Sequence, residues 1–401
     1  LGDLFEQIDA PYSGLEMSAL ERLLVEEIGE SQLGSSLPNA IGKSIDLVAR
    51  HSIIVQHPHC AAHLHTPPAI PALAAELIIS ALNQSMDSWD QASAATHVET
   101  QMINWFARRI ELGDRADGTF TSGGTQSNFM GLLLARDETC RRVSGHHVFE
   151  SGLPDYAGKL RVVTSRNTHF SIVKSLAQLG LGSRAVVAVD CDEAGRMLAP
   201  VLAETLANLG QQDLIPMAVV ATAGTTDHGA IDPLAEIADI CERYGVWLHV
   251  DAAYGGGLIL TGQRSRLDGI GRADSVALDF HKFFYQPISC GLFLLRDQRH
   301  LSHVEHHADY LNREEDPRPN LVEKSVATSR RFDALKIWLT LKSVGPERLG
   351  KMAEHALELA RYAADRLEDE SQFELLARQQ LSTVLFRFLP VDASQADELN
   401  L

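Results

Sequence analysis

The sequence predicts an α/β fold: a mostly parallel, doubly wound sheet in a large domain, with an N-terminal helical arm before it and a smaller C-terminal α+β domain after it. Three observations predict this. Short β-rich runs alternate with helical ones between residues 160 and 296, and regular β-α alternation calls for parallel strands covered on both faces. The chain has 401 residues, too many for one ordinary core and suited to a large domain plus a smaller one. His169, Thr226, Asp251 and Lys282 each fall at or just past a predicted strand end, where ligands of such sheets sit.

Apolar residues make up 45% of the chain and charged residues 22%, which is the balance of a soluble globular protein rather than a disordered one. A formal charge of −18 would repel nucleic acid and anionic membrane surfaces, so neither is expected as a partner. It mildly favours cationic small molecules. Cys60, Cys140, Cys191, Cys241 and Cys290 are scattered and never form a C-x-x-C pair, so neither a disulfide framework nor a zinc site is expected and a reducing cytoplasm fits. There is no signal-peptide core and no apolar run of membrane-spanning length. The chain opens at Leu1 without a Met and stops at Leu401 with no closing element, so part of each end is expected to be missing.

Residues 1–50 have amphipathic helical spacing broken at 33–38, and residues 1–68 form the expected arm and dimerisation segment. His57, His59, His63 and His65 crowd the loop that follows, but no spacing matches a ligand pair with its carboxylate, so a pocket-lining loop and no metal are expected. Helical spacing covers 69–84, a polar turn at 85–91 holds Trp89, and a second helix covers 96–110. Gly123-Gly124, flanked by Thr121, Ser122 and Thr125, precedes an apolar helix at 129–136. Glycines and hydroxyls before a helix start gather N–H groups and the positive dipole end at one spot, which suits a phosphate. Strands are predicted at 160–165, 185–189, 217–222, 246–251, 275–279 and 291–296, and helices at 170–179, 198–209 and 233–244. The large domain is thus placed at 69–330. Residues 300–320 are polar and form an expected mobile loop carrying Tyr310. Helices at 331–344 and 347–367 and a strand at 381–389 make up the small domain, 331–401, which looks cut short.

Lys282 follows His281 at the end of the apolar run 275–278 and precedes Phe283-Phe284-Tyr285, an unusual place for a solvated charge. Alone it reads as a lysine reaching water from a strand end. Beside His169, Thr226 and Asp251 it reads as an amine that forms a Schiff base with pyridoxal phosphate. That cofactor needs an amine for its aldehyde (Lys282), a carboxylate that keeps its ring nitrogen protonated (Asp251) and a flat group over its ring (His169). It also needs donors for its phosphate, which the 123–127 turn supplies with help from His281. A close ion pair at intermediate dielectric contributes on the order of 4 kcal/mol, enough to keep a pyridine nitrogen protonated at neutral pH. The protein then selects the reaction by which bond of the substrate carbon it holds perpendicular to the ring.

Thr121-Ser122-Gly123-Gly124-Thr125-Gln126-Ser127-Asn128, Ala223-Gly224-Thr225-Thr226, His249-Val250-Asp251-Ala252-Ala253-Tyr254-Gly255-Gly256 and Asp279-Phe280-His281-Lys282 together resemble the group II pyridoxal-phosphate decarboxylases. The resemblance runs in order from about His57 to Val344. It implies a fold-type I homodimer with active sites at the interface. By matched position it implies Lys282 as the Schiff-base lysine, Asp251 as partner of the ring nitrogen and His169 as the stacking residue. Gly124, Thr125 and His281 match phosphate contacts, and Thr226 and Ala253 match ring contacts. Tyr310 matches a loop tyrosine that protonates the substrate carbon after CO2 leaves. Asp279-Phe280 departs from the Asn-Pro of many members, which leaves a phosphate contact at 279 open.

Residues 59–67, 85–91 and 306–312 look most like bacterial 2,4-diaminobutyrate decarboxylases and siderophore-pathway lysine decarboxylases. A diamino acid substrate is therefore expected, in siderophore or polyamine synthesis, with Asp87 or Asp90 receiving the distal ammonium and His63 and Trp89 lining its path. Turn capping is an equally good role for both aspartates. Decarboxylation of glutamate or an aromatic amino acid stays open. So does an aminotransferase, for which Arg330 or Arg331 would grip the α-carboxylate. A non-catalytic relative would be expected to have lost Lys282 or Asp251, and both are present.

Overall fold

The computed structural model describes residues 2–30, 34–61, 63–390 and 400. The chain divides into two units, Leu1–Pro67 and Pro68–Leu401. The first holds α1 (Gly2–Gln7), α2 (Met17–Glu30) and α3 (Leu37–Leu47). Pro38 stands in the first turn of α3, where its missing N–H costs nothing, and this sets the break expected near 33–38. Ile54 N–H donates to Pro11 O at 2.8 Å, and His51 lies 3.0 Å from Ser13 Oγ, folding the end of this unit back on its start.

The second unit begins with α4 (Ile70–Leu82), α5 (Trp89–Ala92) and α6 (Ala94–Arg109). A strand that the sequence pattern does not predict, β1 (Asp117–Thr121), then leads directly into α7 (Gly124–Ser144). There follow α8 (Val148–Ser151), β2 (Leu160–Ser165), α9 (Ser171–Gln178), β3 (Val186–Val189), α10 (Ala199–Gln211), β4 (Ile215–Thr222), α11 (Leu234–Tyr244), β5 (Trp247–Ala252), β6 (Ser275–Asp279) and β7 (Gly291–Leu295).

The sheet order is β1-β7-β6-β5-β4-β2-β3. β2 to β6 pair in parallel, and β7 is antiparallel to both its neighbours. It alone runs against the other six, so the carboxyl ends of β1, β2, β4, β5 and β6 lie along one edge. β5, β6 and β7 are buried throughout, as strands covered on both faces must be. On one face Met130 and Leu134 of α7 and Ile172 and Leu176 of α9 pack over Val162 and Val220.

α12 (Ala334–Ser343) packs on α4 and α6, and α13 (Pro346–Glu368) leads to a small hairpin of β8 (Phe373–Leu375) and β9 (Phe386–Phe388). Only three residues of the strand expected at 381–389 are strand. Its first part instead turns toward the large sheet: Ser382 N–H donates to Tyr254 Oη at 2.9 Å, and Leu381 is buried. Residues 304–320 contain no helix or strand.

Candidate active site

The strand ends open on one cavity of about 340 Å³, and His169, Asp251 and Lys282 line it together with Gly124, Thr125, Thr226, Ala253 and His281. Every residue expected to hold the cofactor is therefore in one place. Gly123 sits between β1 and α7 at φ +148°, a backbone state that side chains rarely adopt. That turn aims the amino end of α7 into the cavity. A Cβ on Gly124 would lie 3.0 Å from that of Ala253, so the glycine also lets the helix end approach β5. Gln126 Oε1 accepts Ser122 N–H at 2.7 Å, and Thr121 and Ser127 hydroxyls meet at 2.8 Å, which fixes the turn.

Asp251 is the next-to-last residue of β5 and is almost fully buried. Its Oδ1 accepts Ala253 N–H at 3.1 Å and its Oδ2 accepts Asn128 Nδ2 at 2.7 Å. Trp247, His249 and Asp251 point to the same face because side chains alternate along a strand. They form a chain: Trp247 Nε1 donates to Ser275 Oγ, which lies 2.8 Å from His249 Nδ1, and His249 Nε2 lies 2.9 Å from Asn128 Oδ1. Burial pushes the His249 imidazole down to about 4, against the pull of Asp251. It is neutral at pH 7. His169 Nδ1 accepts Ser171 N–H at 3.3 Å and lies 2.8 Å from Ser171 Oγ, so its proton resides on Nε2. Burial, against the pull of Asp251, also lowers its pKa.

Lys282 lies in the β6–β7 connection, which is held at both ends. Phe280 N–H donates to Cys290 O and Gln286 N–H to Phe280 O. The buried Lys336 of α12 donates to Ser289 O at 2.9 Å. At position 279 the aspartate takes Gly124 N–H on Oδ2 at 3.1 Å and pairs with His281 Nδ1 through Oδ1 at 2.5 Å. Its carboxylate thus occupies a helix-end amide and adds no donor at that end of the cavity.

The cavity suits pyridoxal phosphate in its donor set: an amine, a buried carboxylate, an imidazole and a glycine cradle at a helix start. The buried Thr222 hydroxyl, also in the lining, has no protein partner. The pattern of the "Pyridoxal-dependent decarboxylase conserved domain" matches residues 35–389. The chain belongs to the pyridoxal-dependent decarboxylase family. It is 44% identical to an L-2,4-diaminobutyrate decarboxylase of Acinetobacter baumannii over 90% of this chain and 73% of the relative. A second such enzyme, from Rhizobium meliloti, is 44% identical over 94% and 74%. A crystal structure of the glutamate decarboxylase domain of diaminobutyrate-pyruvate transaminase and L-2,4-diaminobutyrate decarboxylase from Vibrio parahaemolyticus superposes with a TM-score of 0.91 and 48% identity. It covers all of this chain and 81% of that one.

As a family member the chain is a pyridoxal-phosphate-dependent carboxy-lyase with the fold-type I architecture. Its arginines agree. Arg330 is buried on Glu99 at 2.7 Å and also donates to Phe120 O, and Arg331 pairs with Glu76 at 2.7 Å. Neither lines the cavity, so the carboxylate grip expected of an aminotransferase is not formed by them.

Asp87, Trp89, Asp90 and Tyr310 do not line the cavity of this chain. Asp87 accepts Ser85 Oγ at 2.7 Å and Ser88 N–H at 2.6 Å, and Asp90 Oδ1 accepts Ser88 Oγ at 2.6 Å, which is turn capping. Trp89 packs edge-on against His97. Tyr310 is 88% exposed. His63 belongs to the first unit, exposed and stacked on His65. Sequence reasoning assigned no role to Asn128, Thr222 or Tyr254. Asn128 lies inside one of the family motifs, but its partners Ser171, His249 and Asp251 are distant in sequence.

Proposed function

We propose that the chain decarboxylates a diamino acid to a diamine and CO2, with L-2,4-diaminobutyrate ahead of L-lysine. The observation that carries this reading is the joining of Lys282, Asp251 and His169 in one cavity of a chain whose relatives are named for 2,4-diaminobutyrate. The acidic charge of −18 favours a cationic substrate. Bound there, the cofactor supplies an electrophilic aldehyde and an electron-accepting ring. Lys282 would supply the amine that holds it, Asp251 the charge for its ring nitrogen, and His169 a flat cover. Gly124, Thr125 and His281 would serve its phosphate, and Thr226 and Ala253 its ring.

The working form in this reading is a homodimer. Ile70, Leu73, Leu77, Ile78 and Leu82 leave one face of α4 apolar and exposed, Ile70 by 81%, and an apolar helix face of this size is what a partner copy covers. A second copy would bring its own Asp87, Trp89 and Asp90 to bear, and these with His63 and Tyr310 are proposed for the substrate's distal end and its protonation. No described helix is long and apolar enough to cross a membrane, and all five cysteines are free. Both support a cytoplasmic enzyme.

The test is release of CO2 and amine from 2,4-diaminobutyrate, ornithine, lysine, glutamate and an aromatic amino acid. Highest kcat/KM on 2,4-diaminobutyrate is expected. Preference for glutamate or an aromatic substrate would overturn the diamino acid reading, and keto acid without CO2 would overturn decarboxylation itself.

A further inference from the structure

At the end of the sheet opposite the cofactor cavity, Glu138 of α7 meets two histidines from the segment after β7. β7 ends at Leu295 beside Ser275, the first residue of β6, and the chain then makes a 3-10 turn over Gln298–His303. Such a turn has three residues per revolution, so positions i and i+3 fall in line. His300 and His303 accordingly present parallel rings, 8° apart in plane. The turn is fixed at its start by Asp297, which accepts Arg299 N–H and pairs with Arg115 at 3.0 Å.

Both rings aim a nitrogen at the same carboxylate oxygen. Glu138 Oε2 lies 3.2 Å from His303 Nε2 and 3.5 Å from His300 Nδ1, and the three ligand atoms all fall within 4.8 Å of one another. A tetrahedral ion with bonds of about 2.0–2.1 Å spaces its ligands roughly 3.3 Å apart. Two edges of the triangle already have that length. Arg141 grips the same carboxylate through both its oxygens and would remain on Oε1 as the outer hydrogen bond that orients a metal-bound carboxylate. Trp247 walls the site on one side, edge-on to His300 at 5.2 Å. A cavity of about 240 Å³ reaching Glu138 and His300 provides an entry. Among the described residues, no other group of three such side chains converges in this way.

We propose that Glu138, His300 and His303 bind a divalent transition metal ion, with two imidazoles and one carboxylate as ligands and water completing the shell. This donor set favours Zn2+, Co2+ or Ni2+ over Mg2+ and Ca2+. The sequence pattern predicts no metal because the carboxylate comes from a distant helix and the histidine pair alone is nondescript. The bound ion ties the 3-10 turn to α7 and so anchors the start of the 304–320 segment that carries Tyr310.

Equilibrium dialysis of the holoenzyme against ZnCl2 is expected to give one tightly held Zn2+ per chain and no comparable retention of Mg2+. His303→Gln and Glu138→Gln are each expected to weaken it by roughly tenfold or more, and His57→Ala/His59→Ala to leave it unchanged. If a variant fails to fold, the wild-type protein still decides: Zn2+ should protect His300 and His303 from diethylpyrocarbonate, read by peptide mass spectrometry. Retention unaltered in the folded variants, no retention by the wild type, or no protection at these two histidines overturns the site. Zn2+ should also slow tryptic cleavage after Arg313 in the wild type and not in His303→Gln. Equal rates with and without the ion overturn the anchoring.

Discussion

Asn128 donates to Asp251 Oδ2 at 2.7 Å while its own Oδ1 lies 2.9 Å from His249 Nε2. The carboxylate fixes which way the amide faces, since an oxygen turned toward Asp251 would be repelled. The amide in turn requires a proton on His249 Nε2, and Ser275 can then donate to Nδ1. Asn128 Nδ2 also reaches Ser171 Oγ at 3.0 Å, the hydroxyl beside His169. One amide thus joins the carboxylate proposed for the ring nitrogen to the imidazole proposed for the ring face.

Asn128→Ala is expected to bind cofactor more weakly and turn over more slowly, because a hydrogen bond to a charged group contributes about 1.5–3 kcal/mol. That corresponds to roughly 10- to 100-fold. Cofactor affinity by titration of the visible absorbance, together with kcat, checks it. Unchanged values in a folded variant would remove Asn128 from the positioning of Asp251.

Gly131 faces the ring of His249 across the α7–β5 contact. A Cβ placed there would stand 2.5 Å from His249 Nδ1 and 2.6 Å from Cε1, and the ring is wholly buried. Gly131→Ala therefore has to shift the helix or the imidazole, at a cost of about 1–3 kcal/mol, although alanine is the better helix former. Thermal unfolding is expected to show a lower Tm with weakened cofactor binding. A Tm equal to or above wild type would mean that α7 and β5 are less tightly packed than this contact requires.

Much of the site was legible because strand ends are. Lys282, Asp251 and His169 sit where an α/β sheet offers ligands, and the β-α alternation that locates those ends is strong between residues 160 and 296. β1 was not legible: Asp117-Gly118-Thr119 carries little strand preference, and the glycine is there because a Cβ would lie 2.1 Å from Phe293 O of β7. The start of α7 was hidden by its polar first turn, Gly124 to Asn128, whose side chains serve the cavity and the turn rather than the apolar core. Asp279 was visible only as a departure from a family pattern, and its partners Gly124 and His281 follow from the way β1, α7 and β6 meet. The role of Tyr310 came from resemblance alone, since nothing in local pattern distinguishes it.

His249 ties stability to pH. In the unfolded chain its imidazole titrates near 6.5, whereas burial holds it at about 4 in the fold. Between those values the unfolded chain binds the proton and the folded one does not, so this contribution is complete above pH 6.5 and is lost as pH falls toward 4. It amounts to about 3 kcal/mol. His169, lowered in the same direction, adds to it. Asp232, which burial raises to about 6, works oppositely, its contribution fading as pH rises from about 4 to 6. Urea unfolding of wild type and His249→Gln from pH 4 to 7 separates them. The variant is expected to lose less stability on acidification, and parallel curves would show that His249 does not titrate as the buried neutral ring described.

Tyr310 sits in a turn closed by Asn312, whose side chain accepts Ala308 N–H at 3.1 Å and donates to His306 O at 2.8 Å. The phenol itself is exposed, so removing its hydroxyl takes nothing from the fold, and Tyr310→Phe is expected to keep the wild-type Tm, cofactor absorbance and substrate affinity. If the hydroxyl delivers the proton to the substrate carbon after CO2 leaves, amine formation should drop by about 10² or more, the usual range for a positioned general acid. CO2 release should exceed amine, each carbonyl product leaving the substrate's amino group and electron pair on the cofactor as one equivalent of pyridoxamine phosphate. The ratio of amine to CO2 is the decisive reading, because a loop that merely closed the site would lower both together. Equal losses would make Tyr310 part of closure alone, and near-normal amine production would show that another group carries the proton.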